Sequence, residues 1–125
     1  MSSGQLKLLI RADADPLVGT GRVKRMLTLG KSWRQHCGEV GFAVGPLPSG
    51  LLLRIVDAGF ACFHLKHSVS DGLESREVVE ISKSFDADWI ALDGAGFNDS
   101  YQRIIASSNS HLLVVDEIGL ATNQY

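Results

Sequence analysis

The residues of this 125-residue chain that could do chemistry gather where its apolar runs stop. Leu6 to Ala12 ends in Asp13-Ala14-Asp15, Phe60 to Leu65 in Lys66 and His67, Trp89 to Leu92 in Asp93-Gly94-Ala95-Gly96, and Leu112 to Val115 in Asp116-Glu117. Carboxylates so placed can act as acid, base or ligand contact, although aspartate is also an ordinary cap and turn residue, which accounts for Asp99 and at least one of the others. The most informative segment is Val18-Gly19-Thr20-Gly21-Arg22. Its glycines let backbone N–H groups approach an anion closely, the helix that follows adds partial positive charge at its start, and Arg22 offers a guanidinium fork for phosphate or carboxylate.

Related patterns fit less well. A dinucleotide fingerprint calls for a third glycine where Lys24 stands and an acidic residue where Val44 and Gly45 stand. Asp13 and Asp15 match the paired aspartates of haloacid-dehalogenase-like phosphatases, but the second strand ends in Gly45-Pro46 and offers no Ser or Thr. A receiver domain would carry an aspartate where His64-Leu65-Lys66-His67 stands. His64 and His67 lack the companions that complete a metal site, so neither a metal nor a cofactor is expected. Cys37 and Cys62 read as two buried thiols, and Trp33 and Trp89 as packing residues.

The elements that would hold these groups follow from periodicity. Leu6 to Ala12 is apolar without alternation, as in a strand covered on both faces, and Val23, Met26, Leu27, Gly30, Trp33 and Cys37 recur at helical spacing. Val40 to Val44 is a second strand. A helix carrying Leu52, Ile55 and Val56 inward follows, with Ser49 as N-cap and Gly59 as C-cap. Phe60 to Leu65, Trp89 to Leu92 and Leu112 to Val115 are further strands, separated by helices marked by Val78, Ile81 and Phe85 and by Asp99 to Ser107. Five strands alternating with four helices predict an α/β fold, a Rossmann-like parallel sheet with its site at the carboxyl ends of the strands.

With 45% hydrophobic and 21% charged residues the composition is that of one globular domain. The formal charge of −2 gives no broad attraction to nucleic acid, the N-terminal residues do not form a signal peptide, and the apolar runs are too short for a membrane insertion. A cytoplasmic location is the expectation. Residues 1–125 are expected to form a single domain, the N-terminal half of a longer protein, with 116–125 as a linker or cut end.

The motifs Ile10-Arg11-Ala12-Asp13-Ala14, Gly19-Thr20-Gly21-Arg22-Val23-Lys24-Arg25 and Leu27-Thr28-Leu29 resemble the N-terminal half of the nucleotide-sugar hydrolases of pseudaminic acid biosynthesis and their spore-coat-polysaccharide relatives. Leu92-Asp93-Gly94, Asn98 to Gln102 and Leu113 to Glu117 are similar in order and spacing. The resemblance implies the first of two Rossmann-type domains of a GT-B glycosyltransferase fold, with a nucleotide sugar as substrate and a missing C-terminal domain as partner. It implies release of UDP from a UDP-sugar, with Gly19, Thr20, Gly21, Arg22, Arg25 and Asp93 on the sugar or acceptor side of the cleft. The family's histidine base falls at Arg22, which cannot accept a proton at neutral pH, and its usual aromatic residue falls at Ala95. Arg22 is then an anion contact within the catalytic set, and Asp13 the residue that could take over as base. The alternatives are a catalytically silent nucleotide-sugar-binding module and, third, the phosphatase.

Overall fold

The computed structural model describes residues 5–12, 21–36, 38–67, 72–93, 97 and 99–115, with the backbone alone at 21 and 22. Five strands, β1 (Leu8–Ala12), β2 (Val40–Val44), β3 (Ala61–His64), β4 (Trp89–Asp93) and β5 (His111–Val115), form one sheet in the order β3-β2-β1-β4-β5. Every neighbouring pair is parallel. The helices α1 (Gly21–His36), α2 (Ser49–Asp57), α3 (Glu74–Phe85) and α4 (Asp99–Ala106) are the crossovers. The predicted α/β Rossmann-like class is therefore what forms.

Buried residues divide into two cores, one on each face, because successive side chains of a strand point to opposite sides. Leu8, Ile10 and Ala12 of β1, Phe42 and Val44 of β2 and Ala91 of β4 pack with Val23, Met26 and Leu27 of α1 and with Leu51 and Ile55 of α2. Leu9, Ala43, Ile90 and Leu92 turn to the other face, with Val78 of α3 and Tyr101 and Ile105 of α4. The largely apolar reading of β1, β2 and β4, interrupted by Arg11 and Asp93, has its cause in this double covering.

Two local features set how closely the layers meet. A Cβ at Gly30 would stand 3.2 Å from Phe60 Cζ and 3.3 Å from Val40 Cγ1, so the missing side chain is what lets α1 lie this close to the sheet. Beside it, the Arg34 guanidinium lies 4.5 Å from the Phe60 ring centroid and donates to the Ala58 carbonyl, fastening α1 to the end of α2.

Several expected details differ. Pro48, not Ser49, is the N-cap of α2 and no side chain caps it, while Gly59 lies one residue past the Ala58 cap with φ 84°. Helix α2 buries Leu51 and Ile55, half-buries Leu52 and leaves Leu53 and Val56 exposed, so Ile55 of the expected stripe is inward while Val56 is not and Leu51 was missed. Trp33 and Trp89 are half-buried at the margin of the first core, not inside it. Trp33 Nε1 donates to the Leu6 carbonyl at 2.9 Å, and the Trp89 ring stacks on His111. Cys62 is half-buried rather than fully buried, and Cys37 lies outside the described residues. Among the described residues no helix is long and apolar enough to cross a membrane.

Candidate functional site

In an open parallel sheet, ligands bind beyond the carboxyl ends of the strands where the strand order reverses. Here the reversal falls between β1 and β4, since the chain proceeds from β1 outward through β2 to β3 and then returns to β4 and β5 on the other side. The register pairs Ala12 with Asp93 at that point, placing the tips of the two central strands side by side. Residue 21 opens α1 directly after the connection from β1.

Asp93 shares its face of β4 with Ala91 and so looks toward α1. Arg25, one turn into that helix, meets it: Arg25 Nη2 lies 2.5 Å from Asp93 Oδ1. The Asp93 side chain is 0% exposed and that of Arg25 is 44% exposed, so the guanidinium reaches from solvent down onto a buried carboxylate. One edge of the fork is used inward. The half-exposed guanidinium is a planar cation of the kind well suited to a phosphate.

The opposite face of the same two strands carries a second ionic set, which the sequence alone did not suggest. Arg11, 1% exposed in the middle of β1's apolar run, donates from Nε to Glu74 Oε1 and from Nη2 to Glu74 Oε2, each at 2.8 Å. Glu74 is the first residue of α3 and is itself 1% exposed. Tyr101 Oη of α4 donates to Glu74 Oε1, Arg11 Nη1 donates to the Ala12 carbonyl at 3.2 Å, and the guanidinium stands 5.5 Å from the Phe97 ring centroid. The available signal was an arginine inside a strand that otherwise reads as fully buried, because such a charge requires a partner.

Burial, with help from the Glu74 carboxylate and against the opposing pull of Arg11, pushes the Tyr101 phenol well above its ordinary range. The hydroxyl stays protonated and donates. Because the folded value lies above the unfolded one, this contribution to stability is whole below about pH 10 and is lost as pH climbs toward the folded value. In urea unfolding, the stability margin of the parent over Tyr101→Phe should therefore shrink between pH 9 and pH 11. A margin that stays constant would contradict the assigned role of the hydroxyl.

Of the residues expected to form the site, Arg25 and Asp93 are brought together. Gly21 and Arg22 are the first two residues of α1, and Asp13, Gly19 and Thr20 lie outside the described residues, as do Asp15, Gly94, Gly96, Asp116 and Glu117. Lys66 and His67 are tied to α3 through their backbone. Their backbone N–H groups donate to the Glu77 carboxylate at 2.9 to 3.1 Å, which fastens the turn after β3 to the first turns of α3. Among the described residues no group of three or more His, Cys, Asp or Glu side chains is arranged to hold a metal ion.

No family model matches the chain, and no curated protein matches it. Among solved structures it is similar to a universal stress protein in complex with cAMP. The TM-score is 0.57 at 14% identity, over 90% of this chain and 98% of that one. At that identity the likeness establishes the fold alone.

These findings overturn the resemblance to the nucleotide-sugar hydrolases of pseudaminic acid and spore-coat-polysaccharide biosynthesis. The GT-B assignment is not upheld, and the reading as a hydrolase or glycosyltransferase of polysaccharide biosynthesis falls, together with its alternatives, the silent nucleotide-sugar module and the phosphatase. The physical reason lies in what the matching motifs encode. A buried strand, a glycine turn and a basic helix start are demanded by any first βα unit of a parallel sheet that faces an anion, so their joint occurrence reports the fold and not a reaction.

Proposed function

We propose that the chain is a nucleotide-binding module whose ligand lies across the tips of β1 and β4. The observation that carries this reading is the Arg25–Asp93 pair at the strand-order reversal, with a half-exposed guanidinium beside the start of α1. The likeness to a fold that holds cAMP in another protein supports it. In this reading Gly19, Thr20 and Gly21 lend backbone N–H groups to the phosphate, and Arg22 and Arg25 neutralise it. Asp93, itself buried, then holds Arg25 in place, and Asp13 is the acidic group offered to the ribose. The chemistry is recognition, since fixed donors at a helix start bind an anion without any bond being made or broken.

Calorimetric titration of the chain with cAMP, AMP, ATP and UDP tests the proposal. Saturable binding of at least one nucleotide is expected, weakened about tenfold to a hundredfold in Arg25→Ala, the loss typical of a hydrogen-bonded charge contact. No heat with any of the four, or an unchanged affinity in Arg25→Ala, would remove the assignment.

A further inference from the structure

We infer that Arg11 is a positioning residue for this crevice, an inference that rests on the nucleotide-binding reading. Arg11 lies behind the two strand tips, on the face of the sheet away from Arg25. Its contacts define what it does. One arm of its fork holds the carbonyl of Ala12, the last residue of β1 and the register partner of Asp93. Nε and Nη2 donate to Glu74 at the start of α3, and the cation stands over the ring of Phe97, two residues ahead of α4. Phe97 in turn packs on the Tyr101 ring at 4.8 Å between centroids, and Tyr101 closes the set on Glu74.

Stability alone does not account for this choice of residues. A dry ion pair loses about as much in desolvation as it gains in attraction, and apolar residues of similar volume serve a core equally well. What a guanidinium supplies beyond an apolar side chain is direction: donors in a rigid plane reach Ala12 and Glu74 at set angles while the cation lies over Phe97. Those places are the end of β1, Phe97 between β4 and α4, and the start of α3, and the first of them borders the crevice. Arg11 therefore holds from behind the backbone that the ligand meets from in front.

The double variant Arg11→Met/Glu74→Leu removes both charges together and leaves no buried ion without its counterpart. Thermal unfolding, amide hydrogen exchange at Phe97 and calorimetry with cAMP and ATP are measured on it and on the parent. The expected result is a melting temperature within a few degrees of the parent, exchange at Phe97 at least tenfold faster, and nucleotide affinity at least tenfold weaker. Unchanged exchange at Phe97 overturns the inference whatever the affinity does, and so does faster exchange with unchanged affinity. A parent that binds neither nucleotide fails the nucleotide reading instead, leaving the exchange result to decide whether Arg11 holds the segment. Should the double variant not fold, Arg11→Lys gives the same measurements in milder form, since it keeps a charge for Glu74 while losing the fork to Ala12 and the flat face over Phe97.

Discussion

Arg11→Met alone is expected to lower folding stability by about 3–5 kcal/mol, the usual loss when one member of a buried ion pair is removed. Glu74 would keep only the Tyr101 hydroxyl, inside a site where water cannot replace the two guanidinium bonds. Adding Glu74→Leu should restore most of the loss, because the remaining carboxylate is then gone as well. Urea midpoints at unchanged slope provide the measurement. If the single and double variants proved equally unstable, the damage would come from lost packing around β1 and not from a stranded charge.

Phe42→Ala should be comparably severe, at about 3–5 kcal/mol. The ring is fully buried on β2, faces α1 and α2, and tilts against Phe60 with 5.5 Å between centroids. Strands on both sides and helices above leave little freedom for the surroundings to collapse into the space. Phe63, half-buried on the edge strand β3 against Phe85, provides the contrast. Its truncation should be clearly milder in the same denaturant series, and equal losses at the two positions would contradict the burial assigned to them.

The strand pattern was legible because double covering makes β1, β2 and β4 apolar at every position that matters, and β2 was placed without error at Val40–Val44. Phase on α2 was not legible. Leu51, Leu52 and Leu53 run together, so several helical stripes satisfy the same residues, and tertiary packing settles on the one that buries Leu51 and Ile55. The β1 boundary was set two residues early because Leu6 continues the apolar run, although it is 40% exposed and lies outside the strand. At the site, Asp93 was reached through its position at a strand tip, whereas Arg25 came only with the resemblance, although the pair meets. Arg11, Glu74 and Tyr101 were not linked, because partners that meet only through tertiary packing leave no spacing to read.

The place of β1 in the sheet also bears on synthesis. As the chain emerges from the ribosome, β1 gains β2 early as a neighbour, yet its other hydrogen-bonding edge stays vacant until β4, far along the sequence, has been translated. Until then a largely apolar strand presents an open template, the condition under which nascent chains recruit one another or a chaperone. Vectorial folding of this domain should therefore be gated by the arrival of Trp89–Asp93. Ribosome-bound intermediates halted before that point should be protease-sensitive, and those halted after β4 has cleared the exit tunnel should be resistant.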